Sequence, residues 1–385
     1  MIPGKRVRLS KMGIDAERQE RAKEYAHIRH RLLALELILS GVALVVVMAL
    51  ALNVWLKQIV FAITDNVWLA TFLYFAVALV AYGLAFFPLS YYSGFVLQHR
   101  YGLSTQTLRA WLIDEVKGGA LGILLGGLVV EVIYAVLRAA PETWWLWATV
   151  FMLVFNVLLA QLAPILIFPI FFKFKPLEDA ELVARLTALA ERAHTRVRGV
   201  FTMMLSEKTT AANAALMGLG NTRRIVLGDT LYEKYSPDEI ETILAHEMGH
   251  HVHNDIVWSL VVETALTIVG FFLTDLFLKW SVAQLGYQNI ADLAAFPLLG
   301  LALGVFGLIT MPLGNAFSRW REGMADEYSL QTTLKARAFV GAMEKLANQN
   351  LGELEPEAWV EWLLYSHPPI GKRIKRGEQF ESASQ

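Results

Sequence analysis

Long apolar runs alternate with polar stretches along this chain. About 20 mostly apolar residues, rising 1.5 Å each, suffice to cross a bilayer core. Six segments reach that length: roughly 32–56, 68–92, 119–138, 143–172, 256–280 and 291–315. The segment from Tyr91 to Gly118 is too polar to span, yet carries Tyr101, Leu103, Leu108, Trp111 and Leu112, which predicts that it lies along the inner membrane interface. Trp144, Trp145 and Trp147 stand where the fourth run begins, the place of an aromatic belt.

Between and after these runs the pattern changes period. Residues 178–195 have helical spacing, while Val200 to Leu205 and Arg223 to Leu227 read as short strands. Gly220-Asn221 is placed to turn Ala214–Leu219 into the second strand, so a small sheet is expected. Ser236-Pro237-Asp238-Glu239 offers an N-cap serine, proline at the first helical position and glutamate three residues after the cap, which predicts a helix running through residue 250. The fold class expected is mainly α: a helical membrane protein of about six spans with a polar domain containing a small β-sheet.

Composition agrees with a membrane protein: 385 residues, 55% hydrophobic and 18% charged, with a mean hydropathy of +0.44. A net charge of -1 gives no global attraction to nucleic acid, which is not expected as a partner. With no cysteine, disulfides and thiolate metal sites are excluded, so any zinc must be held by imidazole and carboxylate. The start, 1–31, carries nine Lys or Arg residues and no cleavage pattern, and reads as a cytosolic tail.

Lys and Arg flank the spans unevenly. Arg100, Arg109, Lys117, Lys173, Lys175, Arg319 and Arg321 join the early charges on one side, against Lys57, Arg138 and Lys279 on the other. The organisation expected is therefore a cytosolic tail (1–31), four spans with an interfacial segment (32–172), a cytosolic part (173–255), two further spans (256–315) and a second cytosolic part (316–385). The two larger cytosolic parts are expected to form one domain.

The helix after Ser236 carries His246-Glu247-Met248-Gly249-His250. Residues i and i+4 lie about 40° apart around a helix, so both imidazoles can face one metal, with Glu247 beside it as acceptor of a water proton. His251 and His253 read more simply as solvated or interfacial. Glu322 is the strongest candidate for a third ligand; Asp326 is again four residues on, so one carboxylate can take the metal and the other support an imidazole N–H. Without a metal motif to complete, that pair would read as a solvated helix face.

The chain resembles the type I CAAX prenyl protease family of membrane zinc metallopeptidases. The resemblance rests on Tyr91-Tyr92-Ser93-Gly94-Phe95 through Gly102 and Thr107, Asn213-Ala214 with Arg224 to Leu227 and Asp229-Thr230-Leu231, His246 to His250, Ser318 to Asp326, and Ser366-His367-Pro368-Pro369. It implies a zincin-like domain and a chamber enclosed by the membrane helices. It further implies one Zn2+ per chain on His246, His250 and Glu322, Glu247 as catalytic base, and Asp326 in proton donation or ligand support. His367 would stabilise the oxyanion, and Asn213, with Ala214 and Ala215 on a substrate-binding edge, would meet the peptide backbone. Eukaryotic members have seven spans where six are counted here.

The function expected is a zinc-dependent endopeptidase in a prokaryotic cell membrane, its active site on the cytosolic side. Its partners would be the lipid bilayer and a peptide or protein substrate, either prenylated CAAX proteins or other membrane-associated proteins met in quality control. The competing class is a transporter or non-catalytic scaffold with a structural metal; such sites are usually closed by four protein ligands.

Overall fold

The computed structural model describes residues 13–218 and 220–383, so residues 1–12 of the expected tail and Leu219 at the expected turn lie outside the described residues. Asp15 accepts hydrogen bonds from the amides of Glu17 and Arg18 and starts α1, Ala16–Ala49. This helix begins inside the stretch read as tail. It also ends before the first apolar run does: Ala51 turns at φ 51°, and a separate helix α2, Leu52–Ile63, follows.

At 12 residues, α2 is about 18 Å long, too short for a core of about 30 Å. It docks on the loop between the last two long apolar helices. Asn53 donates to the carbonyl of Ala294 at 2.6 Å and to the Tyr287 hydroxyl at 2.8 Å, and Lys57 pairs with Asp292 at 2.7 Å.

Helix α3, Val67–Arg100, runs on through a π-helical stretch at Tyr91–Val96, and α4, Leu108–Ala139, follows after a loop of seven residues. The segment expected to lie along the interface is therefore the ends of two long helices and a short loop. Three of its polar side chains have protein partners: Gln98 donates to the Tyr25 hydroxyl at 2.8 Å, the His99 ring lies between the carbonyls of Phe95 and Gln106, and Asp114 pairs with Lys208.

Helix α5 spans Trp144–Phe171. Trp144 is fully buried and donates Nε1–H to Asp275 at 2.8 Å, so this ring is a core residue and not part of an interfacial belt. The indole N–H and the carboxylate satisfy one another across two spans. Trp147 is the exposed member of the cluster.

The soluble part opens with β1, Phe174–Pro176, and α6, Ala180–Arg192, followed by β2, Val200–Met203, β3, Ala214–Met217, and β4, Arg224–Gly228. The sheet order is β1-β2-β4-β3, with β2 and β4 parallel and the other pairs antiparallel, which leaves β3 as an edge. After a short α7, Asp229–Tyr232, comes α8, Pro237–Val252, with the expected reciprocal cap between Ser236 and Glu239. Leu186, Leu189, Ile225, Leu227 and Leu244 are fully buried between sheet and helices. Removing that apolar surface from water fixes α8 against the sheet.

Two long apolar helices follow, α9, Asp255–Leu285, and α10, Phe296–Thr333; α10 continues well past its apolar part into the soluble domain. The chain ends with α11, Ala336–Gln349, α12, Ala358–Leu364, and α13, Ile370–Ala383. Six of these helices are long and apolar enough to cross a membrane. The start of α1 and the loop after α3 both meet the soluble part. Asn348 bonds to the backbones of Gly13 and Asp15 at 3.1 Å, and the amides of Thr105 and Thr210 donate across the loop contact at 3.1 Å.

Candidate metal centre

His246 and His250 project from α8 with their Nε2 atoms 3.2 Å apart. From α10, Glu322 places Oε2 3.3 Å from the first and Oε1 3.4 Å from the second. The helices can close this far because residue 249 is glycine: a Cβ there would stand 2.9 Å from the Cα of Ala325, a backbone atom of the facing helix.

These donors suit a metal ion. A tetrahedral ion with bonds of about 2.0–2.1 Å holds its ligands about 3.3–3.4 Å apart, close to the spacings above. Glu322 Oε2 is buried and has no hydrogen-bond partner, as an oxygen reserved for a cation would be. His246, His250 and Glu322 form the metal-ligand grouping found among the described residues.

The other ring nitrogens point outward to carboxylates. His246 Nδ1 lies 3.0 Å from Asp326, which is fully buried, and His250 Nδ1 lies 2.7 Å from Asp255 at the start of α9. Behind these stand two arginines. Arg373 of α13 bonds Asp326 through Nε at 3.0–3.1 Å and Nη2 at 2.5 Å, and Arg321 of α10 bonds Asp255. Asp255 and Arg373 were not singled out by sequence, and Arg321 was named only as a charge flanking a span. Asp255, five residues after His250, is the one with a local signal.

Glu247 follows His246 on α8, and burial, opposed by the nearby histidines and Arg373, raises its pKa above the usual glutamate value. Burial pushes the His250 imidazole down, but hydrogen bonds to Glu322 and Asp255 outweigh it and raise its pKa to about 9. For His246, burial and Arg373 disfavour the charged ring; Asp326 and Glu322 prevail, and its pKa is also raised.

His367, from the loop between α12 and α13, brings Nε2 to 3.1 Å from Glu322 Oε1, while its Nδ1 is 2.9 Å from the Ser366 hydroxyl. The structure thus gathers His246, His250, Glu322, Asp326 and His367 at one place. Ala214 and Ala215 lie on the edge strand β3, which packs against α8, and Asn213 precedes them with its side chain exposed. His253 stacks edge-on against Tyr328, and its carbonyl accepts from Arg321 at 2.5 Å. His251 is partly buried, and burial lowers its pKa.

A zinc-type His-Glu-x-x-His helix completed by a glutamate from the end of a membrane helix defines the class: integral-membrane metallopeptidases. Comparison with known proteins narrows this. Residues 8–173 match the family described as CAAX prenyl protease N-terminal, five membrane helices, and residues 176–380 match peptidase family M48. Helices α1 to α5 fill the first match, α2 being the one too short to count as a span.

An uncharacterized metalloprotease of Bacillus subtilis, YhfN, is 33% identical over 75% of this chain and 69% of its own length. CAAX prenyl protease 1 of Saccharomyces cerevisiae is 30% identical over 74% of this chain and 67% of its own. The crystal structure of S. mikatae Ste24p superposes with a TM-score of 0.83 at 25% identity, covering 94% of this chain and 89% of that one. The chain belongs to peptidase family M48, and it is a membrane metalloendopeptidase of the zinc class.

Proposed function

We propose that this enzyme holds one zinc ion per chain on His246, His250 and Glu322 and cleaves extended segments of membrane-associated proteins at the cytosolic membrane face. The observation that carries the reading is the convergence of two Nε2 atoms and one carboxylate at tetrahedral spacing, with Glu247 next to them on the same helix. When bound, zinc would polarise the scissile carbonyl and acidify a water, whose pKa falls toward about 7 at such sites.

The chain's own residues do the rest. Glu247 takes the proton of the attacking water and hands it to the leaving amine; its raised pKa suits a group that must both accept and return a proton. His367, whose Nδ1 lies 2.9 Å from the Ser366 hydroxyl, donates Nε2–H to the oxyanion. Asp326 holds the His246 ring. Substrate adds to the free edge of β3 as a further strand, with Asn213 beside its backbone.

The contacts that join the start of α1 and the loop after α3 to the soluble part, together with the Lys and Arg bias of the flanks, support a cytosolic orientation. Residues 173–255 and 316–385 then act as one domain split by the α9–α10 hairpin.

Metal analysis of purified protein should give about one zinc per chain, with cleavage of both a prenylated and a plain peptide. Glu247→Gln should keep the zinc and lose about 10²–10⁴-fold in turnover. Wild-type protein that carries zinc but cleaves neither peptide faster than Glu247→Gln would leave a structural metal site and end the peptidase mechanism proposed.

A further inference from the structure

Each imidazole facing the metal position is backed by the same sequence of groups: ring Nδ1, carboxylate, guanidinium. For His246 the sequence is Asp326 and then Arg373; for His250 it is Asp255 and then Arg321. All four supporting side chains are largely or wholly buried. Burying a charge is strongly unfavourable unless it is paired and hydrogen-bonded, so two such pairs around one small site call for an explanation.

We propose that Arg373 and Arg321 are positioning residues of the metal centre, each acting through its aspartate to fix the ring of one histidine, and that docking of α13 thereby completes the centre. The inference rests on the metallopeptidase reading above.

The geometry shows how. A carboxylate accepting a single hydrogen bond from an imidazole can swing about its own χ angles, and the ring swings with it. Arg373 engages both oxygens of Asp326, Nε at 3.1 and 3.0 Å and Nη2 at 2.5 Å, which sets the plane of the carboxylate. Its Nη2 also comes within 3.3 Å of His246 Nδ1. Two N–H donors cannot bond one another, so both converge on Oδ1, and the ring is left with Nε2 free for the metal.

Arg321 supports the other ring through one nitrogen, Nη2, rather than through a fork on both oxygens. It grips the second oxygen of Asp255 and the carbonyl of His253, which holds the last turn of α8, where His250 stands, against α10. Neighbouring residues of α10 therefore serve both ligands: Glu322 reaches the metal position itself, and Arg321 reaches the support of His250. Arg373 has a different origin. It lies three residues into α13, in a helix that supplies none of the three metal-facing donors.

The test uses the full-length protein in lipid nanodiscs and zinc affinity measured by competition with a chromophoric chelator. Arg373→Gln and Arg321→Gln should each weaken zinc binding about 10- to 100-fold, the range for losing a partner of a metal-binding histidine. Arg373→Lys and Arg321→Lys, which keep the charge but not the planar fork, should recover part of that loss. Cobalt-loaded Arg373→Gln should show shifted absorption bands, since the ring it frees would tilt.

The decisive measurement is a double-mutant cycle. If Arg373 acts through Asp326, Asp326→Asn with Arg373→Gln should bind zinc no more weakly than Asp326→Asn alone; the same holds for Asp255→Asn with Arg321→Gln. Should a glutamine variant fail to fold, the lysine variant carries the same cycle. Affinities of the arginine variants within twofold of wild type, or losses that multiply across the cycle, would overturn the proposal while leaving the peptidase reading intact. Wild-type protein that binds no zinc would instead remove that reading.

Discussion

Replacing Gly249 by alanine tests how far the centre depends on the close approach of α8 and α10. The added Cβ would meet Ala325 at 2.9 Å from Cα and 3.2 Å from both Cβ and the carbonyl oxygen. Carbon atoms settle at about 3.5–4.0 Å, so the helices would have to part by about 0.6–1.1 Å, and no flexible side-chain tip is there to yield. Metal–ligand distances tolerate about 0.2 Å, so Glu322 would be drawn out of reach of a position shared with both histidines. Overpacking of this kind costs about 1–3 kcal/mol, which in affinity is about 5- to 150-fold. Gly323→Ala is the control, because its Cβ meets the movable guanidinium of Arg376 at 3.2 Å; zinc affinity should stay within about threefold of wild type, a difference of under 1 kcal/mol. Affinity must be measured rather than melting temperature alone, since alanine also favours the helix by about 1 kcal/mol over glycine. A Gly249→Ala protein that binds zinc as tightly as wild type would show that the spacing of the two helices does not set the site.

Four further outcomes are expected. His367→Ala should keep its zinc and lose roughly 10²–10³-fold in kcat, measured on a peptide with metal content determined alongside. Ala215→Pro should raise KM or abolish cleavage without removing zinc, because proline disturbs the edge to which substrate would pair; unchanged kinetics would place the peptide elsewhere. Apparent zinc affinity should rise with pH until about 9, since below its raised pKa the His250 ring is protonated in the metal-free protein and proton and metal compete for it; a titration flat from pH 6 to 9 would contradict this. Glu344 is raised from 4.5 to about 7 by burial first, then by Glu378 and Glu239. The fold therefore favours its protonated form: that contribution is full below pH 4.5 and lost as pH rises through about 7, so Glu344→Gln should raise the melting temperature at pH 8 and leave it nearly unchanged at pH 4.5.

What could be read from the sequence was what depends on neighbours along the chain. The His246-to-His250 pair follows from helical periodicity, the cap at Ser236 from its own four residues, and the six long spans from run length. Glu322 needed both its i+4 companion and the family resemblance. The break at Ala51 was invisible because neither glycine nor proline marks it; an alanine takes the left-handed turn there. Tyr91 to Gly118 read as interfacial because it is too polar to span yet carries apolar side chains; that Gln98 and Asp114 find protein partners depends on residues distant in the chain. Trp144 misled in the same way, its partner Asp275 lying on another span. Arg373 and Arg321 act on carboxylates brought near by the fold, and one-dimensional patterning carries no sign of such pairs.

The division of the soluble domain by the α9–α10 hairpin has a consequence for biogenesis. In the proposed zinc site His246 and His250 are made before the hairpin and Glu322 after it, so the three donors can meet only once both helices of the hairpin have been made. A cut that releases residues 173–255 from the membrane yields a fragment without the glutamate. On the proposed zinc site, proteolytic competence is thereby postponed until the last long apolar helix has been synthesised and has packed against α8.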